Sequence, residues 1–253
     1  VGVYVIAYLR FFVRAIFLIL LLLSGLLTAA IALPFMNRPV QDAVTKAWSC
    51  CLMLVCGVKV VRHGTPIMSG PVLWVANHVS WIDIFILNSW RATSFIAKQE
   101  IRRWPVIGWL VARVGTVFID RGQRQAIGRV SESMKRLFER NICVGLFPEG
   151  TTSDGLDVKP FSTSLFEPAM RAHVAIQPVA LVFWYEGQRS GKMAFIGDQT
   201  LIGNIWVLLS ARHVCVEVYC LPAVTQNGQP SPLGRAELAA QVRDAIRAKV
   251  AQG

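Results

Sequence analysis

The segment AIFLILLLLSGLLTAAIALPFM, Ala15 to Met36, carries no charged residue, and Arg14 and Arg38 bracket it. At 1.5 Å of rise per residue, about 20 helical residues cover the roughly 30 Å hydrocarbon core of a bilayer. The run therefore predicts a membrane-embedded helix. A cleaved signal peptide would have a shorter apolar core and a small-residue cleavage site, so the segment is read as a retained anchor. A second apolar stretch, Ala47 to Val58, is too short to span and predicts the return arm of a helical hairpin lying in one leaflet. Basic residues flank both ends of the first segment, so charge asymmetry sets no orientation.

From Val58 the texture changes. VKVVRH, PVLWVA, TSFIAK, GTVFID, CVGLFP, VAIQPVAL, MAFIG and VCVEVYC are short runs rich in Val, Ile and Phe, and each predicts a strand. Helical spacing separates them: Ile127, Val130, Met134, Leu137 and Phe138 share one face, and Leu238, Val242, Ala245 and Ile246 mark a final amphipathic helix. Strand–helix alternation implies an α/β fold with a central, mostly parallel mixed sheet flanked by helices, preceded by the membrane-embedded segment. The division expected is an anchor over residues 1–57 and an α/β domain over 58–253, with TQNGQPSPLG as a loop.

Composition sharpens the setting. Of 253 residues, 54% are hydrophobic and only 16% charged, which is more apolar than an ordinary soluble domain. The formal net charge of +11 calls for a polyanionic neighbour. High apolarity selects an anionic bilayer surface over nucleic acid, and no helix-turn-helix, zinc or RNA-binding signature is present. The six cysteines form no C-x-x-C pair, lie mostly in apolar runs and are read as buried reduced thiols.

Candidate chemistry begins at NHVSWIDIF, Asn77 to Phe85. PVLWVA predicts a buried strand and SWIDIFILNSW a helix, with Ser80 as its N-cap. His78 then stands where a strand ends and a helix begins, the place where α/β sheets bind ligands. Asp83, within the first turn or so, can turn its carboxylate toward the imidazole and fix its tautomer. A histidine held this way suits general-base removal of a hydroxyl proton. Taken alone, the same spacing equally describes a structural hydrogen-bonded pair. A hydrolase with Ser80 as nucleophile lacks a G-x-S-x-G elbow. The other histidines, His63, His173 and His213, have no metal-ligand spacing, so no metal is expected.

NHVSWID is followed in order by GTVFIDR, FPEGTTSDG and IQPVAL. This series resembles the glycerolipid acyltransferase family, whose best-known members convert lysophosphatidate to phosphatidate. Its histidine and aspartate separated by four residues match at His78 and Asp83. Its second block matches at Gly115, Phe118 and Arg121. Its Phe-Pro-Glu-Gly-Thr block is unchanged at Phe147 to Thr151, and its proline amid β-branched residues is similar to Ile176, Pro178 and Val179. AKQEIRRWPVIGWL, with Lys98 and Glu100, is similar to the linking segment. The resemblance covers roughly residues 58–222.

What the resemblance implies is a membrane-bound O-acyltransferase in which His78, oriented by Asp83, deprotonates a lysolipid hydroxyl that attacks the thioester of acyl-CoA or acyl carrier protein. No other cofactor is implied. The acceptor would be bound by Gly115, Phe118, Arg121, Glu149, Gly150 and Thr151, with Lys98 a further candidate for thioester or phosphate charge. The guanidinium of Arg121 suits phosphate oxygens. Many lysophosphatidate acyltransferases carry cations where this chain has Thr152 and Ser162. Lysophosphatidate is nevertheless the first expected acceptor, and lyso-ornithine lipid, whose headgroup has no phosphate, the alternative. The expected location is the inner membrane, with the catalytic domain on the cytoplasmic side.

Overall fold

A computed structural model describes residues 2–103, 107–113, 115–119 and 124–253. The chain opens with α1 (Gly2–Leu27), which passes through a π-helical turn (Thr28–Ala32) and a 3-10 turn (Leu33–Phe35) into α2 (Arg38–Cys56). The stretch Val5–Phe35 is long and apolar enough to cross a membrane, with a mean hydropathy of 2.8. Asn37 starts α2 by accepting the Val40 amide at 3.2 Å, and Gly57 ends it at φ 70°, the left-handed closing position that glycine takes without strain. The two helices form a hairpin. Trp48 Nε1 of α2 donates to Leu21 O of α1 at 3.1 Å.

The remaining elements are β1 (Val58–Gly64), β2 (Val72–Ala76), α3 (Asp83–Asn88), β3 (Thr93–Lys98), α4 (Gln99–Arg102), α5 (Ile107–Arg113), β4 (Val117–Ile119), α6 (Arg124–Glu139), β5 (Cys143–Leu146), α7 (Glu167–Arg171), β6 (Ala175–Tyr185), β7 (Gln188–Arg189), α8 (Leu201–Ser210), β8 (Val214–Cys220) and α9 (Arg235–Gln252). They build one sheet in the order β1-β8-β6-β2-β5-β3-β4, with β7 paired to β6. All neighbours are parallel except β6 with β8 and with β7. The expected mixed, mostly parallel sheet between helices is what the chain forms.

Strand periodicity sorts the core onto two faces. Val72, Trp74 and Ala76 of β2, with Val179, Leu181 and Phe183 of β6, pack against Leu52, Met53, Ile86, Leu87, Leu208 and Leu209 from α2, α3 and α8. Leu73, Val75, Ile176, Ala180 and Val182 face the other way, against Val130, Met134 and Phe138 of α6 and Leu238, Val242 and Ile246 of α9. Pro178 sits inside β6 without breaking it. Its carbonyl accepts Leu221 N at 3.0 Å, so its missing N–H faces a residue just past the end of β8.

Three sequence expectations need correction. MAFIG, Met193 to Gly197, is not a strand. Its Phe195 N donates to Val79 O at 2.9 Å, so the segment crosses the turn after β2 instead of joining the sheet. Cys50 and Cys51 are exposed rather than buried, although all six thiols are free. Arg14, which the charge pattern makes a flank of the membrane segment, is turned into the protein. Arg10 Nη1 donates to Ser210 O at 2.6 Å, and Arg14 Nη1 to Ala211 O at 2.7 Å and Leu209 O at 3.1 Å. The two guanidiniums satisfy carbonyls that the end of α8 leaves without helical partners. They thereby fasten α1 to the α/β core, while α1 keeps Val5, Leu9, Phe12, Ile16, Leu20, Leu23 and Leu27 exposed along its outer side.

Candidate active site

Because β2, β3, β4, β5 and β6 all run the same way, their carboxyl ends share one edge, and His78, Asp83 and the Phe147–Thr151 loop lie just beyond it, whereas Ile176, Pro178 and Val179 lie within the amino half of β6. Beyond β2, Asn77 prolongs the pairing to β6 with its side chain. Its Nδ2 donates to Leu181 O at 2.9 Å, and its Oδ1 accepts Leu181 N at 2.8 Å. The chain then turns at His78 and enters α3.

Asp83 is completely buried. Its Oδ2 accepts three hydrogen bonds, from Val79 N at 2.7 Å, Ser80 N at 2.9 Å and His78 Nδ1 at 2.8 Å. A buried carboxylate oxygen facing a ring nitrogen accepts a hydrogen bond from it, so Nδ1 carries the hydrogen and Nε2 is the basic nitrogen. The expected Ser80 cap is thus replaced by the reverse device. Asp83, at the head of α3, reaches back for the two amides before it, and the buried Ser80 hydroxyl has no partner among the described residues.

The Phe-Pro-Glu-Gly-Thr loop after β5 holds His78 from the other side. Glu149 Oε1 accepts His78 N at 2.7 Å, and Ser153 N donates to His78 O at 2.8 Å. The imidazole lies flat on Phe147, ring centroids 4.2 Å apart at 16°, and Phe147 stacks in turn on Phe95 at 5.6 Å and 7°. The imidazole is therefore fixed by its backbone, its Nδ1 and its face, with the side chain 19% exposed. Such an arrangement can take a proton at Nε2 and return it without the ring moving.

Glu149, for which the resemblance implies acceptor binding, is engaged within the protein. Its second oxygen accepts Lys159 N at 3.0 Å, so both oxygens hold backbone amides of its own protein. Burial pushes its carboxyl above the usual range, against the pull of those two amides. Glu149→Ala leaves the His78 amide without its partner and is expected to lower unfolding stability by about 1–3 kcal/mol. Glu149→Gln costs less, because its carbonyl stays on His78 N and the exposed Lys159 N turns to water. Thermal unfolding in detergent checks the order, and an unchanged midpoint in Glu149→Ala would remove the clamp from the account.

The other candidates are spread along the same edge. Gly150 (φ 75°) belongs to the clamp loop, and Thr151 beside it is exposed. Lys98 closes β3, two strands from β2, and half-buried Phe118 lies in β4, three strands away; at about 4.8 Å per strand these are roughly 10 and 14 Å sideways. Arg102 stands over the Phe118 ring at 5.6 Å. Gly115 takes φ 87°, and a Cβ there would come within 3.1 Å of Ser94 Oγ. The need for glycine at this position is met within the protein, before any ligand approaches. Arg121 lies outside the described residues.

Sequence reasoning missed a strap over the turn that carries His78. Phe195 N donates to Val79 O at 2.9 Å, and Thr152 Oγ1 donates to Phe195 O. Asn204 of α8 accepts Trp81 Nε1 at 3.0 Å and donates to Ala194 O at 3.0 Å. The contacts of Val79, Thr152 and Trp81 with this segment and α8 cross 43 to 123 positions, and no local pattern announces them. Among the described residues, no group of three His, Cys, Asp or Glu side chains is placed to hold a metal ion.

An α/β sheet presenting a carboxylate-bound histidine at its carboxyl edge defines a class that comparison with known proteins makes specific. Residues 57–182 match the family model described as Acyltransferase. The lyso-ornithine lipid O-acyltransferase of Pseudomonas aeruginosa is 36% identical over 83% of this chain and 79% of its own length. The 1-acyl-sn-glycerol-3-phosphate acyltransferase of Neisseria gonorrhoeae is 35% identical over 77% and 75%. The crystal structure of the 1-acyl-sn-glycerophosphate acyltransferase PlsC from Thermotoga maritima has the same fold, with a TM-score of 0.62 over 94% of this chain and 97% of that one at 22% identity. The chain belongs to the acyltransferase family.

Proposed function

We propose that this acyltransferase moves a fatty acyl group from the thioester of acyl-CoA or acyl carrier protein to the free hydroxyl of a lysolipid at a membrane surface. The observation that carries the reading is the bond from His78 Nδ1 to the buried Asp83 Oδ2, which directs Nε2 outward as the base. Nε2 takes the hydroxyl proton as the oxygen attacks the thioester carbonyl carbon. The tetrahedral intermediate collapses, the C–S bond breaks, and the imidazolium gives its proton to the departing thiolate. No acyl-enzyme is needed, so the cysteines have no part.

The membrane part of the proposal rests on the hairpin. Fastened to α8 by Arg10 and Arg14, α1 would lie with its outer apolar side in one leaflet, residues 1–57 serving as the anchor. The net charge of +11 would hold the catalytic domain against an anionic cytoplasmic surface of the inner membrane and attract the anionic donors.

On the acceptor, the loop geometry favours lyso-ornithine lipid over lysophosphatidate. The Thr152 hydroxyl points to Phe195 O, and Lys159 Nζ donates to Thr152 O at 2.9 Å, so both groups nearest the catalytic turn are engaged within the protein. The same loop also exposes a carboxylate, Asp154, next to Ser153, which would repel a phosphate and attract an ammonium. Purified protein in detergent, offered a labelled acyl donor with either lysolipid, is expected to acylate lyso-ornithine lipid at least ~10-fold faster in kcat/KM, about the worth of one charged contact. A preference for lysophosphatidate would return the assignment to a phosphate acceptor and make Thr152 and Ser162 tolerated variation.

A further inference from the structure

The amino ends of β2, β3 and β5 meet at the edge of the sheet opposite His78, and there the first turns of α2 close over an open cleft of about 330 Å³. Its walls include Arg38, Asp42, Lys46, Met68, Arg91 and Arg140. Arg38 is paired with Asp42 at 2.8 Å, which leaves three cations. Arg91 donates to Ile67 O and Gly70 O, both at 2.6 Å, so it is held rigidly; it forms no ion pair among the described residues, and the acid its charge acts on is Asp42, already paired with Arg38. Exposed Lys46 and Arg140 have no ion-pair partner among the described residues. Mutual repulsion makes this convergence unfavourable in the empty cleft and favourable once an anion enters it.

The surroundings say what kind of anion. Met68 in the wall is 51% exposed, Val40 in the first turn of α2 is 43% exposed, and Phe35 at the tip of the hairpin is 89% exposed. All belong to or adjoin the element proposed to lie in the leaflet. Cations set in a cleft beside exposed apolar side chains match the layering of a bilayer interface, with phosphate at headgroup depth and acyl chain next to it.

We propose that this cleft is a second lipid site, distinct from the catalytic edge, which takes the phosphate of an anionic phospholipid headgroup and seats the hairpin end of the protein in the interface. β2 alone separates it from His78 by about 15–20 Å, five residues at about 3.3 Å each plus the turn. A bound headgroup would contact Lys46 and Arg140 with phosphate oxygens and leave the acceptor site free.

The test uses the full chain, delipidated in a non-ionic detergent, with retained lipids counted by native mass spectrometry. Phosphatidylglycerol, phosphatidylcholine and inorganic phosphate are titrated separately against the wild type and a Lys46→Gln/Arg140→Gln double variant. The wild type is expected to hold phosphatidylglycerol more tightly than phosphatidylcholine. The double variant should lose about 10- to 30-fold of that affinity while keeping its unfolding midpoint and its acyl-transfer rate in detergent. Both side chains are exposed and bear no hydrogen bond among the described residues, so a change in folding is not expected; Arg91 is left in place because it holds two loop carbonyls. Phosphate bound as tightly as the lipid, and lost in the same variant, would identify a free phosphate as the source of the same chemistry. Equal binding of the two lipids, or anionic binding untouched by the double variant, overturns the site. Lipid bound at the catalytic edge survives this variant, so failure here leaves the acyltransferase reading standing.

Discussion

His78→Ala is expected to lower kcat by about 10²–10⁴-fold while the protein stays folded. The expectation follows from what the ring does and does not support. Its backbone is held from outside, by Glu149 Oε1 on the amide and Ser153 N on the carbonyl, and neither bond depends on the side chain. Asp83 Oδ2 keeps Val79 N and Ser80 N when the imidazole is gone. The structural loss is the stack on Phe147, a contact worth about 0.5–1.5 kcal/mol. The chemical loss is complete, because Nε2 is the only basic atom that the turn presents. Initial rates with saturating donor and acceptor, read beside a thermal unfolding curve, separate the two. A variant that retains more than about a tenth of the wild-type kcat would end the assignment of His78 as the base.

How far the sequence foretold this site depends on the length over which each contact acts. The spacing of His78 and Asp83 was legible because it is local: a strand end, a turn and the first residue of a helix lie within six positions. Even there the cap was misread. Ser80 and Asp83 both carry cap chemistry within three residues, and the pattern cannot say which wins. The carboxylate wins because one charged oxygen collects two amides and a ring N–H, where a hydroxyl would collect one.

The roles along the third motif were less legible. The motif places Glu149 near the chemistry, and a carboxylate there suggests a ligand contact. Both its oxygens instead join segments 71 and 10 positions away. Met193 to Gly197 failed in the opposite sense: strand propensity was present, but Phe195 N and O were taken by Val79 O and Thr152 Oγ1, and the segment became the strap across Val79 and Thr152. At the amino terminus the charge-free run was legible from composition. The destination of Arg14, a helix end nearly 200 residues away, was not. Propensity and local spacing thus gave most of the elements and the His78–Asp83 pairing, and long-range hydrogen bonding decided what the remaining polar groups hold.

Asp83→Asn is the sharper test, because it can remove a charge with little change in shape. All three donors converge on Oδ2, while the buried Oδ1 accepts none among the described residues. An asparagine that sets its carbonyl at Oδ2 and its amide group at Oδ1 keeps every bond and the same imidazole tautomer. It exchanges one unpartnered buried atom for another, so the fold should survive with a stability change of about 1–3 kcal/mol or less. What it cannot keep is the negative charge beside the imidazolium that forms as the acceptor hydroxyl is deprotonated. Asp83 is completely buried, so solvent replaces that charge poorly. The expected result is a kcat lower by about 10- to 10³-fold with little change in KM for the donor. His78→Ala sets the ceiling, because Asp83 acts through His78. Asp83→Ala is expected to behave differently, orphaning the Val79 and Ser80 amides and lowering stability as well as rate. Wild-type kcat in a folded Asp83→Asn protein would make the carboxylate a structural cap and nothing more. If Asp83→Asn unfolds as readily as Asp83→Ala, the charge itself holds the turn, and the same anion that orients the base also builds the place where it works.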